Sequence, residues 1–430
     1  MNIIIAIIIF SALVLFHELG HFLLAKKNHI HVYEFCLGLG PTLFGVTKGE
    51  TKYSIKLFPF GGACVMGEDE EFDSDDPKAF NNKSVWARMA VVVAGPVFNF
   101  ILAFILAVIV IAIAGYDDPY VVTVIDGSPA AEAGLMPGDR LIEMNGKRVH
   151  LSREVSLETN LHPEEELSLV YERTDEAGNV TVQECTVTPY LSNAYQVGVY
   201  LGETGAEITD FTENSPAEQA GAQVGDRIVS INGAAITQSG EVSREVQKSE
   251  GAEMEIRLQR GDEEVTIRVT PTASSGYYSG FEMDSNLRTR GNVLEVLEYS
   301  FYEVKYWVVT TFRTIGMLVT GQVSFNDLSG PVGIVDTIGT AYEQSKESGA
   351  KYVWLNMLNM SILLSANLGV MNLLPIPALD GGRLLFFIIE AVRGKRISEK
   401  KEAMVHLIGF ALLMVLMVAV LFNDIRKIFF

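Results

Sequence analysis

Phe16-His17-Glu18-Leu19-Gly20-His21-Phe22 lies within a run that is otherwise almost wholly apolar, from Met1 to Ala25. Residues four apart share a helix face, so His17 and His21 can grip one Zn²⁺ while Glu18 stands beside the metal as a general base. A His/Glu pattern over five residues recurs by chance in soluble chains. Inside a membrane span, however, each ionisable side chain costs on the order of 3 kcal/mol, so three of them persist only with a partner or a task. Peptide hydrolysis needs water and lipid excludes it, so a metal site at this depth points to cleavage of a peptide bond within the membrane.

Catalytic zinc keeps one coordination position for water, so two histidines call for one further protein ligand. Asp380 is the candidate. It ends the stretch Asn372-Leu373-Leu374-Pro375-Ile376-Pro377-Ala378-Leu379-Asp380, followed by Gly381 and Gly382, within a hydrophobic segment where a lone carboxylate is costly unless it meets a cation. The prolines and glycines break the helix, and exposed backbone at membrane depth is tolerated only beside a cavity or within protein, so a hydrated site is expected there. Glu18 would take a proton from water and pass it to the leaving amine. Asn372 either bonds an exposed substrate backbone or pins the broken segment. His29, His31, His150, His162 and His406 are not assigned to the metal.

The 430 residues are 48% hydrophobic, and mean hydropathy is positive. This composition describes several membrane spans combined with soluble domains. Four segments are apolar enough to span: about Met1 to Ala25, Met89 to Ala114, Leu355 to Val392 with interruptions, and Met404 to Phe422. The apolar N-terminal run lacks a basic leader and a cleavage site, so it reads as a retained span. Between Tyr116 and Ser300 stand 33 Asp and Glu against 13 Lys and Arg, a net of −20, which equals the formal charge of the whole chain. This acidic block is soluble and repels nucleic acid.

Lys26 and Lys27 follow the first span, and Arg393, Lys395, Arg396, Lys400 and Lys401 separate the last two. Such basic short loops mark the cytoplasmic side, which places the acidic block outside the cytoplasm. At ~1.5 Å rise per residue, His17 lies about 24 Å from Met1, nearer the cytoplasmic end. Tyr53 to Phe58 alternate like a strand and suit a strand or hairpin dipping toward the metal, which would either hold an extended substrate along its edge or serve only the packing of the loop. The acidic run Glu68 to Asp76 reads as solvated surface. Asn292 to Gly321 mixes aromatic and charged residues and reads as an interfacial helix. Cys36, Cys64 and Cys185 form no framework and read as small apolar residues.

Ser128-Pro129-Ala130, Ala133-Gly134, Gly138-Asp139-Arg140 and Asn145-Gly146 recur 87 residues later as Ser215-Pro216-Ala217, Ala220-Gly221, Gly225-Asp226-Arg227 and Asn232-Gly233. Two copies are too few for a solenoid and imply tandem globular domains. The expected architecture is a multi-pass α-helical membrane protein of four spans with an inserted pair of α/β domains. The parts run 1–115 (first two spans, the paired histidines, strand loop), 116–195 and 196–275 (the two repeats), 276–350 (linker and interfacial helix) and 351–430 (last two spans, Asp380).

Together, His17 to His21, Gly95-Pro96-Val97-Phe98-Asn99, Ser329-Gly330-Pro331-Val332-Gly333 and Asn372 to Gly382 strongly resemble the site-2 protease family of intramembrane zinc metalloproteases. The closest likeness is to its bacterial branch that cleaves anti-sigma factors. The repeats resemble the two PDZ domains of the sigma-E-activating members. The resemblance implies His17, His21 and Asp380 as zinc ligands and Glu18 as catalytic acid/base. It further implies a bacterial inner-membrane enzyme that cuts single-pass proteins, anti-sigma factors or remnant signal peptides, after an upstream site-1-type protease has trimmed them. The PDZ pair would act as a size filter or docking module. Rival readings are a membrane-anchored soluble-type zinc endopeptidase, a noncatalytic membrane PDZ scaffold and a metal transporter. Ile3 to Phe16, the intact Glu18 and the scarcity of polar positions on the second and fourth spans argue against them in turn.

Overall fold

The computed structural model describes residues 2–67, 76–202, 206–212, 214–283, 288–324, 328–347 and 349–429. Most of the acidic run beginning at Glu68 lies outside them. The chain forms two compact units, Met1–Asp117 with Leu287–Phe430, and Asp118–Asn286.

In the first unit, helix α1 (Asn2–Lys27) is almost wholly apolar apart from His17, Glu18 and His21 until its last turn, where Lys26 and Lys27 complement the negative end of the helix dipole. Strands β1 (Glu34–Lys48) and β2 (Thr51–Val65) form an antiparallel hairpin. The hairpin folds back on itself, so that Cys36 pairs with both Ser54 and Ala63. That fold-back brings the end of β2 against α1: a Cβ on Gly62 would lie 3.3 Å from Glu18 Cγ and 3.4 Å from Val14 Cγ1. Ser11 Oγ also donates to the Pro59 carbonyl at 2.6 Å. The strand expected over Tyr53 to Phe58 is therefore part of a longer one that reaches Glu18.

Helix α2 (Val85–Ala114) begins where the Ser84 side chain accepts the Ala87 N–H, and it ends at Gly115, whose φ of 88° suits only glycine well. It packs closely on α1, since a Cβ on Gly20 would come 2.3 Å from the Ala94 carbonyl oxygen. Strand β3 (Tyr116–Asp117) follows.

The second unit holds the repeat. Its first copy contains β4 (Val121–Val124), α3 (Pro129–Glu132), β5 (Arg140–Met144), β6 (Lys147–Arg148), α4 (Ser152–Leu161), β7 (Leu167–Thr174) and β8 (Val180–Val187). After β9 (Tyr190–Gln196), the second copy runs through β10 (Val199–Leu201), β11 (Ile208–Phe211), α5 (Pro216–Gln219), β12 (Arg227–Ile231), β13 (Ala234–Ala235), α6 (Ser239–Lys248), β14 (Met254–Arg260) and β15 (Glu263–Val269). The sheets match, β6-β5-β7-β8 and β13-β12-β14-β15. The repeated aspartates explain themselves. Asp139 takes two charge-assisted bonds of 2.7 Å from Arg173, and Asp226 takes two of 2.7 Å from Arg260, each clamping the Gly-Asp-Arg turn to the third sheet strand.

The expected boundary at 275 is displaced. Strand β16 (Thr272–Tyr278) pairs with β9, and β17 (Phe281–Met283) pairs with β4, placing Phe281 in the core of the first copy with Leu141, Leu167 and Leu169. In the second copy, β10 fills the same place beside β11. The first domain is thus completed only after the second has been made. The repeated motif spans Ser128 to Gly146 and carries no sign of those strands.

Back in the first unit, β18 (Arg288–Thr289) pairs with β3, and helix α7 (Val293–Thr320) starts at a box formed by Asn292 and Glu295. Val304 and Trp307 of α7 pack on the cluster of Ala103, Ala107, Leu355 and Ile362. The segment expected as an interfacial helix is therefore one 28-residue helix lying against its neighbours. Glu303, buried on α7, accepts the Trp307 indole N–H at 2.9 Å. Within the stretch expected as linker, helix α8 (Pro331–Glu347) buries Ile338 among Ala6, Leu13, Leu102 and Met357.

The expected third hydrophobic segment is two helices, α9 (Ala350–Leu373) and α10 (Asp380–Arg393), parted at the prolines. Helix α11 (Glu399–Phe429) is last. Four helices have the length and composition to cross a membrane: Ile3–Lys27, Val85–Ala114, Ala350–Leu373 and Lys400–Lys427.

Candidate metal centre

Two helices bring three donor atoms together. His17 and His21 come from consecutive turns of α1, and Asp380 is the first residue of α10. His17 Nε2 lies 3.1 Å from Asp380 Oδ2, His21 Nε2 lies 3.4 Å from the same oxygen, and the two nitrogens are 3.2 Å apart. Both histidines are buried. Among the described residues, this is the one group of three or more His, Cys, Asp or Glu whose donor atoms converge.

The surrounding packing makes the convergence possible. A Cβ on Gly95 would sit 2.4 Å from His21 Nε2 and 2.7 Å from His17 Cε1, so both rings come up against a helix that has no side chain there. Pro96, next to it, cannot donate a backbone hydrogen bond within α2. The nearby Val91 carbonyl is 2.8 Å from His21 Nδ1. It fixes that ring's proton on Nδ1 and leaves the Nε2 lone pair facing the cluster.

Asp380 is delivered by a tight reversal. Cβ atoms on Gly381 and Gly382 would come 2.2 Å from the Leu374 carbonyl oxygen and 2.4 Å from that of Ile376, so only glycine lets α10 begin directly beneath the end of α9. Ala378 adopts φ 78°, a conformation disfavoured for a residue with a Cβ, and its N–H donates to His406 Nδ1 of α11 at 2.8 Å. A Cβ on Gly409 would meet Pro377 Cβ at 2.3 Å. At the other end of α10, Glu390 pairs with Arg88 at 2.5 Å, and the Arg88 guanidinium lies 4.8 Å from the Phe387 ring centre.

The donor set fits Zn²⁺. Two imidazole nitrogens and a carboxylate oxygen are zinc ligands, and separations of 3.1 to 3.4 Å match the roughly 3.3 Å edge of a tetrahedron with bonds near 2.05 Å. Asp380 Oδ2 is buried without a hydrogen-bond partner, which is costly unless a cation satisfies it. Glu18 is half-buried beside β2 and adjoins the cluster without belonging to it. Asn372 is half-buried in the last turn of α9, and its side chain makes no hydrogen bond to the three donors among the described residues.

The sequence pointed to the three donors together. It gave no role to Asn99, which closes the Gly95-Pro96-Val97-Phe98-Asn99 stretch of the resemblance and whose buried side chain lies 3.1 Å from His17 Nδ1, nor to His406 as the support of Ala378. Besides that stretch, a signal for Asn99 was its spacing, four residues after Gly95 on the same helix face.

A buried pair of histidines with a carboxylate, flanked by a free glutamate, defines a metal-dependent hydrolase site. The profile of Peptidase family M50 matches residues 5–416. "Zinc metalloprotease RasP" of Geobacillus kaustophilus is 33% identical over 447 residues, covering 98% of this chain and 97% of the relative. "Regulator of sigma-W protease RasP" of Bacillus subtilis is 34% identical, with 98% of each covered. "Regulator of sigma E protease" of Haemophilus influenzae is 31% identical, with 98% of each covered. Among solved structures, a crystal structure of the HtrA3 PDZ domain with a phage-derived ligand covers 20% of this chain and 93% of that chain, at 20% identity and a TM-score of 0.18. The chain belongs to Peptidase family M50, the site-2 protease family, and is a zinc metalloendopeptidase.

Proposed function

We propose that the protein cuts the transmembrane helix of a single-pass membrane protein at a zinc ion held by His17, His21 and Asp380, with Glu18 as general acid/base. The observation that carries this reading is the meeting of His17 and His21, on a helix apolar enough to cross a membrane, with Asp380, which starts α10 after the six residues that follow a second such helix, Ala350–Leu373. Bound zinc supplies a Lewis acid that polarises a carbonyl and acidifies water. Glu18 takes the proton from the attacking water and delivers it to the leaving amine. The free edge of β2 beside Glu18 offers backbone groups to an extended substrate, and Asn372 assists in holding it. The relatives named as sigma-W and sigma-E regulators motivate anti-sigma factors as substrates, after trimming by an upstream protease, with remnant signal peptides as a second source. The basic loops put the zinc toward the cytoplasmic side of a bacterial inner membrane and the repeated, PDZ-like domains outside it.

The test is Glu18→Gln, with the enzyme in proteoliposomes carrying a single-pass substrate. Cleavage should fall by at least ~10² to 10⁴-fold while zinc stays near one ion per chain by elemental analysis, because Glu18 acts beside the metal and not on it. Near-native turnover with zinc bound would remove Glu18 from the chemistry.

A further inference from the structure

Behind the proposed metal site lies a buried polar residue that the mechanism leaves unused. Asn99 is 0% exposed, and its Oδ1 has no hydrogen-bond partner. Its amide nitrogen lies 3.1 Å from His17 Nδ1. The Ser365 hydroxyl of α9 donates to its backbone carbonyl at 2.7 Å, fixing its place between helices.

As oriented, the amide would donate to Nδ1 and force the His17 proton onto Nε2. That proton would then occupy the space between Asp380 Oδ2 and His21 Nε2, the place a metal must take. The two ends of a carboxamide are nearly isosteric, so a half-turn of the amide exchanges them without moving the side chain. The turned amide accepts the Nδ1 proton, gives the orphaned oxygen a partner, and frees the Nε2 lone pair. His21 already has this arrangement, with the Val91 carbonyl behind its Nδ1.

We infer that Asn99 is the positioning residue for His17: its side-chain oxygen accepts the His17 Nδ1 proton and presets the ring tautomer that can bind zinc. This rests on the zinc reading of His17, His21 and Asp380. A partner that orients a metal-bound histidine typically sets metal affinity within a factor of about 10 to 100.

The experiment uses the full chain in detergent, labelled with ¹⁵N-histidine and stripped of metal. Its nitrogen spectrum should show His17 protonated at Nδ1 before any zinc is added. In parallel, zinc affinity is measured by competition with a chelator. Asn99→Leu, similar in volume but unable to accept, should bind zinc about 10 to 100 times more weakly. Asn99→Asp, which can only accept when ionised, should stay close to native. An Nε2–H tautomer in the native metal-free protein overturns the inference, as does native affinity in Asn99→Leu or equal loss in Asn99→Asp. If Asn99→Leu does not fold, the native spectrum and Asn99→Asp decide. Failure of the native protein to bind zinc would instead strike the metal reading, while the tautomer result would still judge Asn99.

Discussion

At the residue scale, the site depends as much on what is missing as on what is present. Gly95 leaves a bare patch on α2 against which both histidines of the proposed zinc site lie, and Gly20 lets α1 approach closely enough to use it. Alanine at Gly95 would put a methyl 2.4 Å from His21 Nε2, a distance that backbone and two buried rings must relieve by moving. Gly95→Ala is therefore expected to lose zinc stoichiometry while keeping native helical content, measured by elemental analysis and circular dichroism; full zinc occupancy would refute this account of the packing. His17, His21, Glu18 and Asp380 were legible in the sequence because ionisable groups stand out in apolar runs. The stretch from Gly95 to Asn99 was legible too, but the roles of Gly95 and Asn99 were not, because those roles depend on a second helix crossing the first at that point.

At the element scale, Asp380 is only as well placed as the reversal that carries it. The prolines and glycines from Pro375 to Gly382 announced that break in advance. They did not reveal that α11 props it, with His406 accepting the Ala378 N–H and Gly409 seated on Pro377. A second clasp holds α11 near its far end, where the Asp424 carboxylate accepts the Gly330 and Gly333 N–H groups at the start of α8. Replacing His406 with Ala leaves the Ala378 N–H without its acceptor while the residue still needs its disfavoured φ. The loss is about 1 to 3 kcal/mol of local stability, so zinc should be stripped by chelator roughly tenfold more readily; unchanged stripping would show that the reversal holds itself. Helix α8 escaped detection because its mixed composition, with Asp336, Glu343 and Lys346 among apolar residues, reads equally well as a linker.

At the scale of the whole molecule, charge and apolarity divide the chain. The acidic residues gather in the unit of repeats, and the apolar helices gather in the unit that holds the metal donors. That division was legible from composition, whereas the interleaving of the repeats was not, because β17 shares no recognisable motif with the copy it completes. The proposed function requires chemistry inside the membrane and toward its cytoplasmic side. The direct measurement is the position of the cut. A single-pass substrate of known orientation is incubated with the enzyme in proteoliposomes, and the new termini are read by mass spectrometry. The account predicts cleavage within the hydrophobic stretch, in its cytoplasmic half, abolished by a zinc chelator. A cut confined to the flanking polar segments, or one in the outer half of the helix, would contradict it.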